Sequence, residues 1–454
     1  MDLLSGESVS KFNRWMTWAT LLIALGVFTF HFAFLATHTN NLPFWDDWAM
    51  FQGDNHPATF DPKWFYEQYN DHRTTTTRVF VWLQFQLNGW NVKTHLLFQF
   101  LLYGVVSAVL AFICWKASKL PLWVIVAFVP FLFTTIFWTC HASAYAVAVH
   151  FWLIFLYTAA LCMFSESQRW WMVTLGFVLA GLSIYSFASG MSTGAVLLVG
   201  YCIFKVHRIL WTGANTSKRR EILQFLVGVL TLGGLIAGWL IGYHKPVDRP
   251  PWVLPGSLLF WKFYLNLVSF GFGVERVSVF WGAVCFLIVM VPIVGLLWRD
   301  RRDLNRWQWI SLLLAAGFLA NLCAVAFGRS AYGVETSRWL EYSMHALPLV
   351  MFSVVNWALF LQPYPKLKIA GLSLLWLFCV ATFLPNFDFD VYRKAYADKL
   401  KGAECVRDFY HGRGDGRCRE IFPFNASVKP YANQAKRLNA SFYRDLWDPQ
   451  NPPP

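Results

Sequence analysis

Two adjacent carboxylates, Asp46 and Asp47, sit in "NLPFWDDWAM" between Phe44, Trp45 and Trp48. A carboxylate beside aromatic rings can act as a general base, because burial and a neighbouring acid raise its pKa toward the working range. The same pair could hold a hard divalent cation through oxygen. A solvated turn anchored by tryptophans at a membrane surface accounts for the residues equally well. A second cluster follows in "NDHRTTTTRVF": Asp71, His72, Arg73 and Arg78 fall within eight residues. Arginine suits phosphate because its planar fork donates two parallel hydrogen bonds. A third lies in "GRSAYGVETSRWLEYS", with Arg329, Glu335, Arg338, Glu341 and Tyr342. A helix starting near Val334 would place Glu335, Arg338 and Tyr342 on one face. The competing reading of that cluster is an internal Glu335–Arg338 ion pair. Lys245 and Arg249 form a weaker basic pair, better read as an interfacial anchor. His141, Tyr145 and His150 read as packing residues.

The elements that must position these groups are membrane helices. The chain has 454 residues, 57% apolar and 19% aromatic, and only 14% are charged. Soluble domains carry about a quarter charged residues. The fold class expected is therefore an all-α polytopic membrane protein. About eleven apolar stretches approach the length a bilayer requires, near 15–37, 95–114, 120–139, 143–163, 170–188, 191–206, 222–243, 277–297, 307–327, 345–361 and 368–384. The first is too long for a cleaved signal core and reads as a retained helix.

Basic residues mark alternate connections: Lys116 and Lys119, Arg169, Lys205 through Arg220, Arg299 with Arg301, Arg302 and Arg306, and Lys366 with Lys368. The positive-inside rule puts these loops and the N-terminus in the cytoplasm, and an odd number of spans puts the C-terminus outside. The net charge of +13 thus reports orientation, not nucleic acid. The organisation expected is a transmembrane domain over 1–384, with an external loop 38–94, outer-face segments 244–276 and 328–344, and an external tail 385–454. Acids concentrate on that outer face, and none falls in the middle of a span. Proton or cation carriers place carboxylates mid-membrane, and no internal repeat typical of secondary transporters is present.

Seven of nine cysteines lie in or at the edges of apolar runs. Cys405 and Cys418 alone sit in polar sequence. An oxidising outer compartment would join them in a disulfide.

These motifs resemble a family. A first span followed by an external loop opening with "WDDW", then "NDHR" at 70–73, then Gly328-Arg329 with Ser337-Arg338-Trp339, is similar to the membrane-embedded GT-C glycosyltransferases. The likeness is to bacterial members that build O-antigen, lipopolysaccharide or other surface polysaccharide. The resemblance implies a GT-C-like fold in a bacterial inner membrane with its site on the periplasmic face. It implies an inverting transfer of sugar from a polyprenyl-phosphate donor to a glycan or lipid-linked acceptor. Asp46 or Asp47 would be the catalytic base. His72, Arg73, Arg78, Arg329 and Arg338 would line the donor phosphate or sugar, with Asp71, Glu335, Glu341 and Tyr342 in support. A divalent cation, Mg²⁺ or Mn²⁺, is left open as a cofactor. The alternatives are a flippase or transporter for lipid-linked sugars, an O-antigen ligase or acyltransferase, and a structural scaffold.

Overall fold

In the computed structural model, residues 6–52, 57–211, 218–246, 249–300, 304–422 and 427–447 are described. Arg301 and Arg302 lie outside them. The described chain is helical almost throughout; its one sheet is a two-stranded hairpin. Among the described residues, nine helices are long and apolar enough to cross a membrane, or ten if a bent pair counts as one span. Every apolar stretch expected from the sequence falls on a helix or a broken pair of helices. The third is the bent pair, Leu122–Phe133 with Thr135–Ala142, kinked by 43°. The fifth is the Trp170–Ile184 helix, which at 15 residues is shorter than a usual span. The apolar stretch 257–274 forms another short helix, Leu258–Phe270. The described chain is thus a predominantly helical, polytopic membrane protein.

It packs as two compact units. The first comprises Met1–Phe28, Val105–Ile136 and Trp152–Phe387. Its helices pack along one another: Arg306–Arg329 on Ala188–Trp211, Leu258–Phe270 on Val279–Asp300, and Val279–Asp300 on Pro348–Phe360. Small residues permit such contacts where lipid supplies no hydrophobic drive between helices. Gly282 shows this, since a Cβ there would stand 2.7 Å from the backbone of Leu265.

The second unit comprises Thr29–Gly104, Phe137–Phe151 and Asp388–Pro454. It joins the loop after the first long helix to the tail, so the tail packs with that loop. The tail forms three helices, Asp390–Tyr410, Lys429–Arg437 and Ser441–Trp447. The Asp390–Tyr410 helix buries Tyr392, Ala395, Lys399, Gly402, Ala403, Val406 and Tyr410, a stripe of helical period. Its Ala403, Val406 and Tyr410 continue a core built from Trp48, Phe51, Trp64, Trp90 and Phe442. Cys405 and Cys418 are joined by a disulfide that ties the Asp390–Tyr410 helix to the segment after it.

The third cluster differs from its expectation. No single helix runs from Val334 to Tyr342. Val334–Arg338 and Leu340–Tyr342 are separate 3₁₀ turns. Gly333 enters the first at φ 103°, a conformation open to glycine, and Trp339 at ψ 126° breaks the path between them. Glu335 and Arg338 share the first turn, at the three-residue spacing that brings 3₁₀ side chains together, while Tyr342 falls in the second, so the three do not line one helix face.

Candidate active site

The carboxylate pair is carried by a 3₁₀ helix, Trp45–Phe51, in the second unit. Its neighbours point opposite ways. Asp47 is fully buried. Its Oδ1 accepts the Ser143 hydroxyl at 2.7 Å and the Tyr145 N–H at 2.8 Å, and its Oδ2 accepts the Phe44 N–H at 2.9 Å. The Asp47 N–H donates in turn to the Phe44 carbonyl at 3.1 Å, closing the turn from both sides. Burial pushes the Asp47 carboxyl above its ordinary pKa, against the opposing pull of Lys399, the Tyr145 and Phe44 N–H groups and the Ser143 hydroxyl. Lys399 is itself buried and donates to the Ala142 carbonyl at 2.7 Å.

Asp46 is exposed, and its Oδ1 accepts the Tyr69 hydroxyl at 3.0 Å. Tyr69 comes from a hairpin whose strands, Gln68–Tyr69 and His72–Arg73, pair Tyr69 with His72 and Gln68 with Arg73. Asn70 makes the turn at φ 50°, which asparagine tolerates. The Tyr69 ring packs on Tyr145 at 5.0 Å. Burial, then the charge of Asp46, raise the Tyr69 phenol well above its ordinary range. Tyr69 therefore stays protonated and serves Asp46 as a donor.

The loop arginines are held by protein. Arg73 is buried, donates to the Tyr66 carbonyl at 2.6 Å and lies over the Tyr66 ring at 4.1 Å. Arg78 is buried, donates to the Trp64 carbonyl, and pairs with exposed Glu67 at 3.6 Å. Burial lowers the Arg78 pKa, while Tyr145, Glu67 and Tyr69 oppose the shift. Both guanidinium groups thus brace the 62–66 helix turn against the hairpin and the Thr75–Asn88 helix. Asp71 and His72 are half-buried in the same hairpin.

In the first unit, Arg338 is engaged in the same way. It donates to the carbonyl of Asn266, to Asn266 Oδ1 at 3.0 Å, to Ser269 Oγ at 3.0 Å and to the Arg276 carbonyl at 2.8 Å. Burial lowers its pKa to about 10, opposed electrostatically by Cys285, Glu335 and Glu275. Arg329 shares its surroundings with Glu341 and Arg249, all three acting electrostatically on Tyr342. Arg249 and Tyr332 lie 3.3 Å apart, donor to hydroxyl. Glu335 and Glu341 are exposed.

The structure places Asp46, Asp47, Asp71, His72, Arg73 and Arg78 together in the second unit. Arg329, Glu335, Arg338, Glu341 and Tyr342 belong to the first. Among the described residues, no group of three or more His, Cys, Asp or Glu side chains is placed to hold a metal ion. The sequence reading missed Tyr69, Ser143 and Lys399. Two signals were available: Asn70-Asp71 is a hairpin-turn pair, which sets Tyr69 against His72, and Lys399 occupies an apolar-stripe position of its helix. His141 and His150 lie in a buried ring cluster with Tyr103, as packing residues do. Comparison of the chain with protein-family models, curated proteins and solved structures finds no match.

Proposed function

We propose that the protein is an inverting glycosyltransferase that moves a sugar from a polyprenyl-phosphate donor to a glycan or lipid-linked acceptor. The observation that carries this reading is the division of labour in the acid pair. Asp47 is consumed by internal hydrogen bonds, which leaves Asp46 exposed on a turn that Asp47 fixes, with one oxygen oriented by Tyr69. A carboxylate held this way suits a general base. In the reaction, the acceptor hydroxyl oxygen bonds to the anomeric carbon as its proton passes to Asp46. The bond from that carbon to the phosphate oxygen breaks, and the lipid phosphate leaves as an anion. Positive groups stabilise the charge that builds on it. Arg73, Arg78 and Arg338 brace the fold, because their donors are directed at carbonyl and side-chain oxygens of the protein. The setting proposed is a bacterial inner membrane, with the site facing the periplasm.

The test is sugar transfer from polyprenyl-phosphate donors by purified protein. Asp46→Asn should keep the fold and lose about 10²–10⁴-fold in rate, the usual contribution of a positioned acid–base group. A parental rate in that folded variant would remove the base and the reading with it.

A further inference from the structure

Among the described residues, six besides glycine adopt a positive φ: Trp45, Asn70, Trp90, Lys119, Gln168 and Asn439. Asparagine enters this region readily, whereas for a bulky side chain it is an outlier. Two of the six are tryptophans, and they differ in what their rings do. Trp90 is fully buried, and its indole N–H reaches His95 at 3.1 Å, so the core accounts for it. Trp45 has φ 52°, yet its side chain remains 37% exposed. One contact of the indole is Phe44, stacked at 5.1 Å with the planes 17° apart.

The backbone of Trp45 is fixed from two directions. The Phe44–Asp47 turn encloses it. Its N–H donates to the Ile421 carbonyl at 2.9 Å, three residues beyond disulfide-bonded Cys418. A glycine here would meet the same backbone demands without strain. The position instead keeps a large aromatic ring, half in water, next to Asp46. Strained residues persist where the surroundings over-determine them, and such positions concentrate in ligand sites.

We infer that Trp45 is a carbohydrate-binding platform beside Asp46, on which the apolar face of a pyranose ring stacks. The proposal rests on the sugar-transfer reading for its ligand class. The chemistry fits: one face of a pyranose presents C–H groups, whose positive edge complements the negative face of the indole. Phe44 backs the ring and keeps it from rotating. Asp46, the next residue, then meets the hydroxyl groups at the edge of the stacked sugar. The tail takes part as well, since Ile421 holds the ring's backbone in place.

The experiment uses full-length protein in phospholipid nanodiscs, so that no sugar detergent competes. The protein is labelled with 5-fluorotryptophan, and the ¹⁹F resonance absent from Trp45→Phe is assigned to Trp45. Methyl glycosides of glucose, galactose, mannose, rhamnose and N-acetylglucosamine are titrated in turn. At least one should shift the Trp45 resonance saturably. Trp45→Gly should melt no lower than the parent and bind that glycoside about 2- to 10-fold more weakly, the range of one aromatic stack. Trp45→Phe should fall between the two. Absence of any shift with all five glycosides would overturn the proposal. So would a Trp45→Gly variant that unfolds, because the ring would then be structural. A shift in protein that transfers no sugar would keep the platform and sink the transferase. Loss of transfer in Asp46→Asn with no Trp45 response would do the reverse.

Discussion

Alanine or asparagine at Asp47 should separate architecture from chemistry in the acid pair. Asp47 accepts three hydrogen bonds: from the Ser143 hydroxyl, the Tyr145 N–H and the Phe44 N–H. In Asp47→Ala the hydroxyl can rotate to another acceptor, but two backbone N–H groups stay buried and unmatched. Each unmatched donor costs about 1–3 kcal/mol. Relief from burying a carboxylate offsets part of this, so the net loss should be about 3 kcal/mol. In Asp47→Asn the amide oxygen can keep the Ser143 and Tyr145 bonds, while its NH₂ faces the Phe44 N–H. One donor is then unmatched, and the loss should be about 1–2 kcal/mol. Asp46→Asn keeps an oxygen that can accept the exposed bond from Tyr69 and should cost under about 1 kcal/mol. For folding units of this size, each kcal/mol moves Tm by about 2–4 °C, so Asp47→Ala should melt about 6–12 °C lower. The assay is thermal unfolding followed by size-exclusion of fluorescently tagged protein, run beside sugar transfer. Stability should fall in the order Asp46→Asn, Asp47→Asn, Asp47→Ala, while transfer per folded molecule falls most in Asp46→Asn. An Asp47→Ala protein that melts with the parent yet transfers nothing would refute the argument and make Asp47 the chemical group.

Three further outcomes follow from the same geometry. The Asp47 carboxyl is raised above its ordinary value by burial, so its stabilising contribution is present in acid below the unfolded-state pKa and is lost as pH rises through the folded-state value. The difference in Tm between parent and Asp47→Asn should accordingly be largest at acid pH and shrink toward neutrality; a gap that widens would reverse the sign. Arg338→Lys keeps the charge but cannot span Asn266, Ser269 and the Arg276 carbonyl, and should lose about 2–3 kcal/mol, visible as a lower Tm in thermal unfolding. Replacing Cys405 and Cys418 by serine opens a short loop and should cost about 3 kcal/mol in the chain-entropy model. In that variant the Trp45 fluorine resonance should broaden, because the Ile421 carbonyl that holds its backbone loses its tether.

The sequence by itself determined the helical, membrane-spanning class, because apolar length and the scarcity of charge are local properties that any bilayer reads the same way. It also paired Cys405 with Cys418, since no other cysteines lie in polar sequence. Motif position brought Asp46, Asp47 and the 70–78 cluster into one candidate region, since short chain separation keeps them near one another. Only the tertiary structure decided which acid is structural. That choice depends on Ser143 and Tyr145, nearly a hundred residues later, and on Lys399 from the tail. A hydrogen-bond donor that arrives from so far along the chain leaves no mark in the spacing around Asp46 and Asp47. The same holds for Arg338, whose carbonyl partners lie 62 and 72 residues earlier. Its type and its place after a span fit a phosphate ligand and a backbone brace equally, and packing alone filled its fork with carbonyl and side-chain oxygens. Trp45 is the clearest case. In sequence it is one aromatic among many, and only the sign of its φ, with the exposure of its ring, sets it apart.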